Sequence, residues 1–313
     1  MTTANSKIQY LPKPEVQALS RRSDLWGWGL TLHCWGTIIA AGALFVLFPS
    51  LLTYIIAIAI IGGRQLGMAI LMHETAHGIL FKTPRLNKVI GQYLFAFPIG
   101  LELNAYRTYH LKHHKYVQQE NDPDLSLSAA FPTSRLSMVR KLLRDISGLT
   151  GLKLRGGQLL LLLTKIFGKG KSIKGYQAID LKTVVGPYMV NGFAFTIFWL
   201  AGYWWVYVAL WLVPLLTVFQ LVLRIRNIAE HAETGHTPDN PLTTARTTHA
   251  NFLARVFVAP YWVNYHVEHH LYMYVPCFRF KKFHAALMRE GYGQKMETKP
   301  SYWAVLKLAT RVV

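Results

Sequence analysis

Four stretches of this chain are apolar for long enough to cross a bilayer, and the segments between them are polar, basic or histidine-rich. Trp28–Phe48 carries no charge, although it contains His33 and Cys34. Leu51–Leu71 is broken only by Arg64 and Gln65, and Pro49 and Ser50 form the turn before it. After a long polar segment come Val184–Ala201 and Tyr203–Leu223, with Gly202 at their turn. Each run falls within the roughly 17–25 helical residues that cross the hydrocarbon layer. A helix is also the form in which an isolated segment satisfies its own backbone there. The pattern predicts an all-α integral membrane fold of four transmembrane helices in two hairpins, with a helical cap. It divides the chain into a polar tail, residues 1–24, and a single membrane domain, 25–313.

Charge gives the spans an orientation. Lys and Arg number 34 against 15 Asp and Glu, a formal net charge of +19, while charged residues make up only 16% of the chain. Such an excess on a soluble domain would suggest nucleic acid. Here the basic residues fall in the N-terminal tail, the segment from Lys82 to Lys182 and the C-terminal portion, and none lies at Pro49–Ser50 or Gly202. The positive-inside rule then makes both termini and the cap cytosolic, and nucleic acid drops out as a partner. Anionic headgroups or an acidic protein remain as partners for the basic face. The first residues have no apolar core or small-residue cleavage site, so no cleavable signal peptide is expected. Cys34 and Cys277 are the two cysteines, too few for a disulfide framework or an iron–sulfur cluster. Leu159–Leu163, followed by Lys165, Lys169, Lys171 and Lys174, is too short to span. It reads either as an amphipathic helix on the membrane surface or as a buried cytosolic helix with a solvated basic end.

The candidate chemistry lies in the histidines. Of thirteen, nine fall into four groups: His73 and His77; His110, His113 and His114; His231, four residues after Asn227; and His266, His269 and His270. Spacings of three and four place side chains on one face of a helix. One H-x-x-H-H match arises by chance with a probability of about 2% at this histidine frequency, so two argue for metal ligation over satisfied polar residues. From Leu51 to His73 is 22 residues, roughly 33 Å of helix, and from Tyr203 to Asn227 roughly 36 Å. Both helices therefore deliver their groups to one membrane edge. Nine imidazoles exceed the three or four that one zinc uses, which points to two ions. Imidazole itself suits iron, zinc and copper alike. His73-Glu74-Thr75-Ala76-His77 also matches the zinc-protease pattern, with Glu74 as base, but that reading leaves both triplets unexplained. Otherwise Glu74, Glu230 and Glu268 would accept the second N–H of ligand histidines, or be ordinary polar residues.

Other residues have plainer readings. Arg64 is expected to snorkel toward the interface. His33 and Cys34 read as packing or interhelical hydrogen-bond groups, and His236 and His249 lack ligand spacing. Trp204, Trp205, Tyr207 and Trp211 read as an interfacial belt, with a substrate tunnel as the less common alternative. Asp122 and Asp124 could orient histidines, while Pro123 between them marks a turn.

From about Gly63 to Leu287 these motifs resemble the membrane fatty acid desaturase and hydroxylase superfamily. Asn264-Tyr265-His266-Val267-Glu268-His269-His270-Leu271, with Val275-Pro276 and His284 after it, is similar to the last box of acyl-lipid desaturases. His110-Leu111-Lys112-His113-His114 with Asp122-Pro123-Asp124 resembles their second box. The resemblance implies a di-iron centre held by the nine histidines, with Asn227 supporting one metal through water. Glu74, Glu230, Glu268, Asp122, Asp124, Asn264 and His284 would then orient the ligands without touching the metal. The resemblance also implies dioxygen as co-substrate and a lipid-borne alkyl chain as substrate. Desaturation is the leading reaction; hydroxylation of an alkyl, carotenoid, sphingolipid or sterol is the alternative. Zinc could replace the iron by mismetallation. Three residues, not four, separate His73 from His77, which favours a lipid-linked acyl group over acyl-CoA. No haem motif, dinucleotide fingerprint or cysteine cluster is present, so a separate ferredoxin, rubredoxin or cytochrome b5-type donor is implied. Oligomeric state leaves no mark in the sequence.

Overall fold

The computed structural model describes residues 9–167, 182–235 and 240–311. His236 and the basic run Lys169, Lys171 and Lys174 lie outside these residues. Four helices are long and apolar enough to cross a membrane: α1 (Asp24–Leu47), α2 (Leu51–His77), α6 (Lys182–Leu200) and α7 (Trp204–His231). Between and after them come α3 (Leu103–Tyr116), α4 (Arg135–Ile146) and α5 (Leu149–Phe167), then α8 (Phe252–Phe257), α9 (His266–Leu271) and α10 (Phe280–Arg289).

Local chemistry explains the ends of α2, the most buried span. Pro49 cannot continue α1, and Ser50 caps the next helix: its hydroxyl accepts from the Thr53 N–H at 3.1 Å while Thr53 Oγ1 accepts from the Ser50 N–H at 3.1 Å. At the far end Gly78 takes φ 72°, the left-handed stop that glycine adopts without strain. The helix thus runs unbroken to His77, six residues beyond the expected Leu71. By contrast α7 is interrupted. A π-helical turn covers Val208–Leu212, Pro214 follows, and Thr217 departs from helical geometry at φ −114°, ψ −87°. Such an insertion rotates the helix after it, and the last segment, Val218–His231, carries Asn227 and His231 to the same level as His73.

The spans turn large apolar side chains outward, among them Leu32, Ile39, Leu47, Leu51, Phe193 and Leu200, as lipid-facing helices do. Helix α5 is longer than the expected Leu159–Leu163. It leaves Leu149, Leu152, Leu160, Leu163 and Ile166 exposed, which favours the membrane-surface reading over a buried cytosolic helix. Two pairs of two-residue strands fasten the loops: Thr133–Ser134 with Thr310–Arg311, and Thr247–Thr248 with Thr298–Lys299, both parallel.

Three single-residue expectations come out differently. Arg64 does not snorkel: it is buried and donates to the Val256 carbonyl, because α8 folds back against α2 and presents that oxygen. Trp204 and Trp205 are exposed as a belt requires, but Tyr207 and Trp211 turn inward. Both donate to Asn191 Oδ1, at 2.7 and 3.2 Å, and line an apolar cavity of about 530 Å³. His33 is an interhelical hydrogen-bond group as expected, its Nδ1 lying 3.1 Å from the Tyr261 hydroxyl, and Cys34 is buried.

Candidate metal centre

All nine histidines meet where α2, α3, the end of α7 and α9 converge. They sort into two adjoining groups. His73, His77, His110, His114 and His269 form one; His113, His231, His266 and His270 form the other. Within each group one ligand nitrogen per ring lies within 4.8 Å of the rest. Helix geometry explains the sorting. At about 100° per residue, positions i and i+4 are about 40° apart while i+3 falls about 60° to the other side. Each triplet therefore sends two rings to one group and one ring to the other. His110 and His114 join the first group and His113 the second; His266 and His270 join the second and His269 the first.

These nitrogens are arranged for a cation. His73 Nε2 is 3.0 Å from His269 Nε2, and His114 Nε2 is 2.9 Å from both His110 Nε2 and His269 Nε2. In the second group His266 Nε2 lies 2.9 Å from His231 Nε2 and 3.2 Å from His270 Nε2. Several of these rings have their other proton committed. His113 Nδ1–H donates to Asp122 Oδ1 at 2.8 Å, His231 Nδ1–H to the Thr244 carbonyl at 3.2 Å, and His73 Nδ1 faces Glu74 Oε1 at 3.2 Å. Their Nε2 lone pairs then face inward, where only a positive centre can hold them together. Two nitrogens at right angles around an ion at about 2.1 Å are about 3.0 Å apart. His77 Nε2 is buried with no hydrogen-bond partner among the described residues, as a nitrogen reserved for a metal would be. The residues present fit two metal ions.

Burial, reinforced by neighbouring imidazoles, pushes His110, His266, His269 and His270 well below the ordinary histidine range and His114 down to about 2. The rings are neutral at pH 7, the form that ligates. Burial would raise Asp122, but the hydrogen bond from His113 and the N–H groups of Asp124 and Gln118 outweigh it and hold the carboxyl low.

The supporting residues divide. Asp122 orients His113, and Asp124 stands 3.7 Å from the same ring nitrogen. Glu74 reaches His73 with one oxygen and accepts the Cys277 N–H at 2.7 Å with the other. Both oxygens are thus occupied, which removes the base that a zinc-protease reading needs. Glu268 departs from expectation: it accepts from Thr247 Oγ1 and from His284 Nδ1 rather than from a clustered histidine, because Thr247–Thr248 is strapped across α9. Glu230 departs too. Arg226, one turn earlier, pairs with Oε1 at 2.5 Å, and Oε2 lies 3.4 Å from His266 Nε2, the nitrogen that faces the cluster. Asn264 donates to the Thr248 carbonyl at 3.1 Å rather than to a clustered ring. Asn227 accepts from Arg226 at 3.1 Å and lines a cavity with His113, His231 and His266. His249 stays outside both groups, its ring against His284.

Sequence reading missed Arg226 and Tyr106. Arg226 has a sequence signal, its i, i+4 spacing to Glu230. Tyr106 stacks on His110, 5.4 Å between centroids, at another i, i+4 spacing. Both line the cavity of about 210 Å³ that abuts the histidines, whose far wall is the apolar Leu66, Ala69, Ile70, Phe219 and Leu223.

Four membrane-length helices, two histidine groups that could each hold a metal ion, and a cavity with one apolar wall against them are compatible with an integral membrane oxidoreductase. The chain belongs to the fatty acid desaturase family, which it matches over residues 48–302. It is 28% identical to a dihydrorhizobitoxine desaturase of Bradyrhizobium elkanii over 82% of this chain and 74% of that protein. It is 23% identical to a beta-carotene ketolase of Paracoccus sp. (strain PC1) over 81% of this chain and 90% of the relative.

Proposed function

We propose that the chain is a dioxygen-dependent di-iron enzyme that oxidises a lipid-borne alkyl chain, with fatty acyl desaturation as its reaction. The observation that carries this reading is the sorting of nine buried or half-buried histidines into groups of five and four beside a cavity with one apolar wall. His73, His77, His110, His114 and His269 would hold one iron. His113, His231, His266 and His270 would hold the other, with Asn227 acting through water. Iron held there would supply redox chemistry with dioxygen, which zinc would not. The protein's own work is positioning. Leu66, Ala69, Ile70, Phe219 and Leu223 would hold the alkyl chain against the histidines and exclude water, while Asp122 and Glu74 keep the rings aimed. In this reading the spans pair as two hairpins within one domain from residue 25 onward. The histidine-bearing cap and both termini are cytosolic, as the basic segments favour, and electrons come from a separate ferredoxin, rubredoxin or cytochrome b5-type protein.

Hydroxylation is the second reading, favoured by the likeness to a beta-carotene ketolase. Lipid analysis of a host expressing the chain separates the two: new double bonds support desaturation, new hydroxyl groups support oxygen insertion, and an unchanged profile sinks both. Replacing His269 with Ala removes a ring from the heart of the first group, so iron and activity should disappear together. Turnover retained in that variant would refute the ligand assignment.

A further inference from the structure

Arg64 lies on the side of α2 away from the chemistry. At about 100° per residue, Leu66, Ala69, Ile70, His73 and His77 share one face of the helix and Arg64 points from the opposite one. Its guanidinium is buried, with the residue only 5% exposed. It donates to the Val256 carbonyl and sits 5.5 Å from the Tyr261 ring centroid. Among the described residues neither Arg64 nor Arg255 forms a salt bridge. A cation at membrane depth ordinarily has a counter-charge, and this one has none among the described residues.

What faces Arg64 is a cavity of about 280 Å³ lined by His33, Arg64, Arg255, Tyr261, Trp262 and Asn264 among others. Two guanidinium groups, an amide and one member of the hydrogen-bonded His33–Tyr261 pair can serve as hydrogen-bond donors, and among the described residues no carboxylate lines the cavity. The backbone around it is held under constraint. Tyr261 and Trp262 adopt φ of 54° and 60°, two consecutive bulky residues in the left-handed region, a conformation that persists where surrounding structure enforces it and that is common at ligand clamps. Enforcement comes from α2. A Cβ on Gly67 would lie 2.8 Å from the Tyr261 ring, and one on Gly63 3.1 Å from the Val256 carbonyl oxygen.

The cavity's position indicates its occupant. Arg64 precedes His73 by nine residues, so it lies roughly 14 Å further along the span from the histidines. Phe252 and Leu253 of α8 are 77% and 61% exposed, and Leu32, beside His33, is 67% exposed. In the membrane setting these exposed apolar side chains would meet acyl chains, so an anion reaching this cavity with apolar groups attached would leave those groups in lipid. We propose that the cavity binds the phosphate of an anionic phospholipid, at a site separate from the histidine groups. The proposal rests on the membrane setting and not on which reaction the histidines support.

The test uses the full chain in nanodiscs of phosphatidylcholine alone and of phosphatidylcholine with phosphatidylglycerol. Thermal unfolding and native mass spectrometry of retained lipid are the readouts. Phosphatidylglycerol should raise the unfolding midpoint above that in phosphatidylcholine and should survive detergent exchange. Arg64→Gln and Arg255→Gln should each abolish that difference and lower lipid retention roughly tenfold or more, the scale of a lost charge-assisted hydrogen bond. Lys281→Gln, on the exposed surface of α10, should change neither, and Arg255→Gln should keep its bound metal. Arg255 is exposed, so that variant decides the matter if Arg64→Gln does not fold. Equal midpoints in the two lipids, or an undiminished difference in Arg255→Gln, overturns the proposal. So does the same stabilisation from inorganic phosphate alone, which would make the cavity a free-anion site.

Discussion

Asp122 shows how much of the centre depends on residues that touch no metal. It accepts from His113 Nδ1 and from the N–H groups of Gln118 and Asp124, at 2.8, 2.9 and 2.8 Å. Asp122→Ala leaves three donors unmatched and frees the His113 ring, so metal affinity should fall about 10- to 100-fold; metal content of the purified variant measures it. Acid should act on the same rings. Burial lowers His110, His114, His266, His269 and His270 below their unfolded value, so below about pH 6.5 the unfolded chain binds protons that the folded site refuses. Their contribution is complete above that pH and is lost as the pH falls toward the depressed values. Metal retention and thermal stability should both decline below about pH 6.5, and a flat profile from pH 7.5 to 5 would contradict the neutral-ring assignment. That these nine rings group together was legible from their spacing. The partner of Glu268 was not, because the Thr247 strap claims that carboxylate from a distant segment, while the i, i+4 spacing that offers Arg226 to Glu230 does not say which partner the carboxylate takes.

At the scale of elements, the spans were legible to within a few residues at most ends, since hydropathy reports what lipid requires. Their extensions were less so. α2 continues to His77 because its last turns are buried against protein rather than lipid, and hydropathy cannot distinguish a span's end from a polar helix that continues it. The fold-back of α8 was illegible for a related reason: it depends on Gly63 and Gly67, whose small size matters only once a neighbour is known. Gly62 makes the same point for α7, where a Cβ would lie 2.6 Å from Val218. Since α2 and α7 carry His73, His77 and His231, separating them should spread the site. Gly62→Val should cost about 1–3 kcal/mol, typical of overpacking, lowering the unfolding midpoint and the metal content together. Normal metal content in that variant would show that the helix spacing is not what sets the site.

For the whole molecule, the excess of basic residues has a consequence for electron supply. With +19 formal charge concentrated in the segments assigned to the cytosolic side, an acidic donor should be steered to the enzyme. Donor-dependent turnover should then fall as salt rises from about 0.01 to 0.15 M, where the screening length shrinks from about 30 to 8 Å. Rates insensitive to salt would remove steering from the account. The convergence of four distant segments was legible in outline, because both long helices end at one edge. The division of each triplet between the two groups was not, since it needs the facing helix. That division would couple two ions held there: a tilt of α3 or α9 that loosened one would also displace a ligand of its neighbour, so the two should be lost together. Substoichiometric loading of metal-free enzyme should therefore yield a mixture of empty and doubly filled molecules with few singly filled ones, a distribution that native mass spectrometry can count directly.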